Sequence, residues 1–173
     1  LEKFKIIRYT KHNFRYSLLS GTDVDIDLAI DEAGRMVELV TNVVHHLNQY
    51  FDFPFVPAKA VSYRRGTPRF FQFKLSEEPI QLIPENEVDG FVNLIFSDDS
   101  KITKKIEEVP RNNNEAILYG YYKNTKEIKT LLYELQKIST AIANHKNDKA
   151  AVKELNGVEA HYKRLLNHYV LDS

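Results

Sequence analysis

Between residues 33 and 51 the apolar side chains Ala33, Met36, Val37, Val40, Val43, Val44, Leu47 and Phe51 recur three or four apart, the repeat of an amphipathic helix. Glu32, Arg35, Glu38, Thr41, Asn42, Asn48 and Gln49 stand between them, so one flank is apolar and the other wet. A strip of that length must be buried against something. The spacing predicts one central helix over 31–51, capped by the Asp31 carboxylate. With 43% hydrophobic residues in 173, the chain has apolar material for one sizeable core or two small ones. The expected class is α+β, a small mixed or antiparallel sheet packed on that helix and followed by a C-terminal antiparallel helical hairpin.

The sheet is read from short alternating or apolar runs. Phe4, Ile6, Phe14, Tyr16 and Leu18 predict one or two short strands before the turn signal at Ser20-Gly21-Thr22. In residues 23–30, Val24, Ile26, Leu28 and Ile30 alternate with Asp23, Asp25 and Asp27, which reads as a strand with a carboxylate face or an extended lead-in to the helix. Phe53, Phe55 and Val56 lie among the helix-stopping Pro54 and Pro57. Over 60–75, Val61 and Tyr63 approach Gly66-Thr67, and Phe71, Phe73 and Leu75 leave it, the pattern of a β-hairpin. Residues 91–96 are apolar almost throughout, as in a strand buried on both faces. Ser97-Asp98-Asp99-Ser100 precedes a short helix with Ile102, Ile106 and Val109 on one side.

Residues 111–114, Arg-Asn-Asn-Asn, form a polar linker and mark the expected boundary between an α+β domain at 1–110 and a helical tail at 111–173. Residues 116–122 fit a strand by their aromatics or the first turns of a helix by their spacing. Ile128, Leu131, Leu132, Leu135, Ile138 and Ile142 make a helical stripe, as do Val152, Leu155, Val158, Tyr162, Leu165, Leu166 and Tyr169, with Asp148 placed to cap the second.

Composition narrows the chemistry. Twenty-four basic and 24 acidic residues balance, so any nucleic acid or acidic protein must be met by a local patch. The absence of cysteine removes disulfides and thiolate chemistry and leans toward a reducing compartment; a cytoplasmic location is the expectation. No apolar run has the length of a membrane span, and no membrane partner is expected. The start, Leu1-Glu2-Lys3-Phe4, reads as that of a fragment or processed chain.

The feature that weighs most is charge segregation. Lys59, Arg64, Arg65, Arg69 and Lys74 fall together without an acid between them, interleaved with Tyr63 and Phe70. Arginine beside an aromatic ring suits phosphates, stacked bases or acidic side chains. Glu77, Glu78, Glu85, Glu87, Asp89, Asp98 and Asp99 follow without a cation, so the basic segment has an internal anion to dock on as well as an outside one. The leading expectation is an interaction module without catalytic machinery or cofactor, part of a larger or multi-chain protein, meeting an acidic protein or nucleic acid. The tyrosines at 119, 121, 122, 133, 162 and 169 line a core or serve association of the tail.

The competing expectation is catalytic. Asp25 and Asp27, if on a strand, point the same way and form a metal-holding pair. Asp25-Ile26-Asp27-Leu28-Ala29-Ile30 resembles the aspartate-hydrophobe-aspartate strand of the nucleotidyltransferase superfamily. That resemblance implies metal-dependent phosphoryl transfer through Asp25 and Asp27. The family's upstream Gly-Ser pair has no counterpart, Phe14-Arg15-Tyr16-Ser17 standing in its place, and 60–75 lacks the third acid. Gln72-Phe73-Lys74 loosely matches the acid-x-Lys half of restriction-type nucleases, with Asp52 or one of the triplet as its partner. The histidines are scattered, His45-His46 diverging on a helix and His161 lying two turns from His168.

Overall fold

A computed structural model of the chain describes residues 7–10, 14–18, 22–51, 55–84, 88–109, 115–123 and 125–171. The fold is α+β, with a four-stranded mixed sheet and two long C-terminal helices that pack together. The chain separates into two compact units. One comprises Leu1–Thr41 and Ile128–Ser173; the other is the continuous stretch Asn42–Glu127 inserted between those halves.

The discontinuous unit opens with an antiparallel hairpin, β1 (Ile7–Thr10) on β2 (Arg15–Leu18), where Tyr9 and Tyr16 meet at 5.2 Å between ring centroids. Then follows α1, Ile26–Ala33. Asp25 does not lie on a strand: its carboxylate accepts the Leu28 N–H at 3.1 Å and starts this helix. The burial of Ile26, Ala29, Ile30 and Ala33 is the i, i+3, i+4 face of a helix, and Leu28, which strand alternation would have buried, is 54% exposed. The period-two spacing at 23–30 is therefore an accident of composition.

The remaining helices of this unit are α5 (Thr125–Asn144, its first residues belonging to the inserted unit) and α6 (Lys149–Leu171). Both were legible from their stripes. Asp148 accepts the N–H groups of Ala150 and Ala151 at 2.9 and 3.0 Å, the cap expected of it. Ile26, Ile30 and Ala33 of α1, Ile138 and Ala141 of α5, and Ala151, Leu155 and Val158 of α6 form one buried cluster, with Val24, Ile142 and Tyr162 packed against it.

A clasp closes the same unit at long range. The buried Thr22 hydroxyl donates to Asp148 Oδ2 at 2.6 Å and accepts the Val24 N–H at 3.1 Å. The Thr22 hydroxyl foremost, then the Ala151 and Ala150 amides, hold the Asp148 carboxyl below its ordinary value. A depressed carboxyl stabilises the fold above its unfolded pKa, and that contribution disappears as pH falls through the folded value. Thr22→Val is expected to lower the melting temperature at pH 7, with the difference from wild type shrinking once the pH drops below about 4. Thermal melts at both pH values test this, and a pH-independent difference would sink it.

The helix expected over 31–51 is two helices. After α1 one turn of 3₁₀ helix, Gly34–Met36, ends at Val37, whose φ of −110° and ψ of 133° are extended. Asn42 then caps α2, Val43–Tyr50, through a 2.7 Å bond from the His45 N–H. Glycine and the branched Val37, Val40 and Thr41 weaken the helix between the two caps. The apolar spacing continues across the break, but its two halves belong to different units.

In the inserted unit, β3 (Phe55–Pro57) pairs antiparallel with β4 (Phe70–Ser76), which runs parallel to β5 (Gly90–Phe96), itself parallel to β6 (Ile117–Tyr122). The order is β3-β4-β5-β6. The expected hairpin at 60–75 is absent: Lys59–Arg65 is the helix α3, and only its second half is a strand. Gly66, at φ 67°, donates its N–H to the Ser62 carbonyl, so the glycine that reads as a hairpin turn is a left-handed helix stop. The short helix α4, Ile102–Glu108, lies where it was expected, and the segment after the 111–114 linker proves to be a strand.

Central strand β5 is buried on both faces, as its apolar run implied. Asn93 interrupts that run and is fully buried. Its Nδ2 donates to the Lys74 carbonyl at 3.1 Å and to Ser76 Oγ at 2.8 Å, and its Oδ1 accepts the Ile80 N–H at 3.2 Å. The Ile80 carbonyl in turn accepts the Tyr119 hydroxyl at 2.9 Å. One amide thereby anchors the segment after β4, which contains no regular structure among its described residues, to the sheet.

Candidate functional site

The basic segment is arranged by the block β3-α3-β4 of the inserted unit. Ala58, the single residue between β3 and α3, donates its N–H to the Arg69 carbonyl at 2.8 Å, and the Arg69 N–H donates to Ser62 Oγ at 3.1 Å. Ser62 Oγ also donates to the Ala58 carbonyl at 3.0 Å. These bonds fix the helix to the start of β4. Lys59, Val61, Tyr63, Arg64 and Arg65 of this helix are all exposed, Tyr63 at 92%, with Lys59 and Tyr63 one turn apart and Arg64 and Arg65 turned away from them round the helix. Phe55 and Val56 of β3 are exposed as well.

The seven residues singled out in the sequence separate into two groups. Lys59, Tyr63, Arg64 and Arg65 share the short helix, and none of the three cations has an ion-pair partner among the described residues. Arg64 and Arg65 occupy its last turn, where the helix dipole favours cations. Arg69 is committed elsewhere: its guanidinium bonds the Asp89 carboxylate, which also accepts the Phe70 N–H at 2.8 Å. That backbone bond first, then the Arg69 bond, pulls the Asp89 carboxyl below its usual value. Arg69 thus meets an anion within the fold. Phe70 and Lys74 sit on β4, Phe70 partly exposed and Lys74 half-buried.

The acidic stretch also has internal partners. Lys105 Nζ lies 2.7 Å from Glu78 Oε1 and 3.3 Å from Asp99 Oδ2. Those two carboxylates, Glu78 first, hold the Lys105 ammonium above its ordinary pKa. Asp98 accepts the hydroxyl of Thr125.

The residues of the competing catalytic expectation are not brought together. Asp25 caps α1 and Asp27 follows in its first turn; at about 100° per residue their side chains leave a helix some 200° apart. The strand on which the nucleotidyltransferase resemblance rests is therefore a helix start. Among the described residues no three of His, Asp and Glu are grouped to hold a metal ion. Gln72 and Lys74 do lie on a strand, β4, whereas Asp52 falls outside the described residues. Tyr133 donates its hydroxyl to the Gly34 carbonyl at 3.1 Å and Tyr162 packs on the helical core, while Tyr169 is 43% exposed.

Sequence reading missed two features. Docking of the basic segment on the acidic stretch was one of the two expectations, but which residues would pair, Arg69 with Asp89, 20 residues away, has no local signature. Phe55 and Val56 are exposed, and apolar residues among prolines carry no sign in the sequence of facing outward. No described helix is long and apolar enough to cross a membrane. No family model matches the chain, and no curated protein or solved structure proved significantly similar to it.

Proposed function

We propose that the inserted unit is a docking module whose exposed helix α3 binds an acidic protein segment that carries apolar side chains. The observation behind this reading is that exposed Tyr63 shares one short helix with Lys59, Arg64 and Arg65, none of which has an ion-pair partner among the described residues. Cations without internal partners recruit carboxylates, and exposed aromatics become favourable only when a partner covers them. A protein segment fits better than nucleic acid. Phe55, Val56 and Val61 of the same block are exposed and apolar, and a phosphate backbone, whose affinity comes from cations, would leave them uncovered.

The test is fluorescence anisotropy with a labelled peptide of about ten residues alternating Glu with Leu and Phe, beside a single-stranded oligonucleotide of matched charge. Peptide affinity should exceed that for the oligonucleotide and fall with rising salt. Arg64→Ala combined with Arg65→Ala should weaken it about tenfold, and Tyr63→Ala by a similar factor. Preference for the oligonucleotide, or peptide binding indifferent to these substitutions, would overturn the reading.

A further inference from the structure

Thr67 stands between the cations of α3 and the start of β4. Every residue from Tyr63 to Phe70 is exposed, and the stretch from Gly66 to Arg69 is neither helix nor strand. The space beside Gly66 is open, no atom lying within 4 Å of where a Cβ would stand. The Thr67 hydroxyl donates one long bond, 3.3 Å, to the Arg65 carbonyl. It is an accessible hydroxyl that little holds in place.

Its neighbours in sequence are the two kinds that a protein kinase reads. Arg64 and Arg65 lie three and two residues before it, with no acid from Lys59 to Ser76, and Pro68 follows it directly. Kinases select substrates by charge pattern: carboxylates in the cleft take arginines ahead of the acceptor. A proline just after the acceptor has no N–H to satisfy, which suits a cleft that offers no acceptor at that position. Such a cleft takes an extended segment, so the last turn of α3 has to open. The helix is seven residues long and has no buried residue. Helices so short are not stable in isolation, and opening this turn releases the bond from the Gly66 N–H to the Ser62 carbonyl without uncovering a core.

We propose that Thr67 is a phosphoacceptor for an arginine- and proline-directed protein kinase, and that its phosphate silences the α3 surface by engaging Arg64 and Arg65. The γ-phosphoryl group of Mg²⁺-bound ATP passes to Thr67 Oγ1, the hydroxyl proton passes to the kinase's catalytic carboxylate, and ADP leaves. The new group brings about −1.5 to −2 charges at pH 7 and three acceptor oxygens. Two exposed arginines without an ion-pair partner among the described residues stand next to it in sequence, and a guanidinium pairs with phosphate bidentately. Arg69 stays on Asp89. The phosphate also stands just past a helix C-terminus, whose dipole repels it, so it favours the opened turn. The silencing rests on the docking role proposed above; the modification of Thr67 does not.

The first test incubates the whole chain with ATP, Mg²⁺ and a proline-directed serine/threonine kinase that selects arginine three residues before the acceptor. One phosphoryl group should be added, located at Thr67 by peptide mass spectrometry and lost in Thr67→Val. Arg64→Ala and Pro68→Ala should each slow the reaction about tenfold. The second test replaces Thr67 by phosphothreonine through genetic encoding, so that no kinase is needed. Its phosphorus NMR signal should titrate at lower pH than in the same protein carrying Arg64→Ala with Arg65→Ala, since neighbouring guanidinium groups favour the dianion. The acidic peptide should bind the phosphorylated chain about tenfold more weakly than the unmodified one, as it does the alanine pair. Thr67 left unphosphorylated, a reaction indifferent to Arg64→Ala and Pro68→Ala, or a phosphorus titration unmoved by the alanine pair would overturn the proposal. Peptide affinity unchanged by the phosphate would overturn the silencing and leave the docking surface standing. No peptide binding to the unmodified chain would overturn the docking role and the silencing together, with the modification still decided by the kinase reaction and the titration.

Discussion

Asn93→Ala is expected to lower the unfolding free energy of the inserted unit by about 3 kcal/mol. The substitution removes the partner of the Ile80 N–H and one bond each from the Lys74 carbonyl and from Ser76 Oγ, which keeps its bond to the Glu78 carbonyl. Stranding buried donors and acceptors costs about 1 to 3 kcal/mol each when water cannot replace the partner, and less where it can. The removed amide also leaves a cavity in the middle of β5. Urea denaturation measures the total, and amide exchange locates it. Faster exchange at Ile80 and along β5, with α6 unchanged, is the expected pattern. A loss below about 1 kcal/mol would mean that the segment after β4 rearranges to rejoin the sheet by other bonds. Asn93→Leu separates the terms, since it fills the volume yet removes the same hydrogen bonds.

Leu155→Ala should be at least as costly to the other unit, about 4 kcal/mol, toward the upper part of the range for buried leucines. Leu155 is fully buried where α1, α5 and α6 meet, and Ala33, Ala141 and Ala151 are members of the same cluster. Alanines let helix backbones approach closely, but they have no side-chain length with which to refill a hole. The space left by the leucine should therefore persist. Val158→Ala at the rim of the cluster should cost roughly half as much. Equal losses at the two sites, measured by denaturant midpoints with a common slope, would show that the cluster collapses readily and that the alanines do not make it rigid.

What could be read in advance follows a physical division. The long helices α5 and α6 repeat their apolar spacing over several turns, and Asp148 caps by a contact two and three residues away; local patterns of this length have few alternative structures. β5 was legible for the same reason, as an apolar run too short for a long helix. The stripe at 33–51 misled because extended backbone at Val37 preserves the spacing while Asn42 restarts the helix. Gly66 misled because a positive φ serves a hairpin and a helix stop equally well. The aspartates at 25 and 27 looked like a paired strand face because alternation over so few residues also fits a cap followed by a first turn. At the candidate surface, the exposed cations of α3 were legible from the missing acids around them. That the basic segment could dock internally was legible too, but not that Arg69 alone would do so on Asp89, nor that β3 would face outward, since both depend on contacts that no nearby residue announces.

The inserted arrangement of the chain also sets an order for its synthesis. Everything the unit at Asn42–Glu127 needs has left the ribosome before α6 is made, whereas α1 emerges with Ile26, Ile30 and Ala33 and must wait for residues 128 onward to cover them. A nascent chain halted once the whole of Asn42–Glu127 has cleared the ribosome should therefore carry a structured sheet and a naked, sticky α1, the state in which a holdase chaperone would have its work.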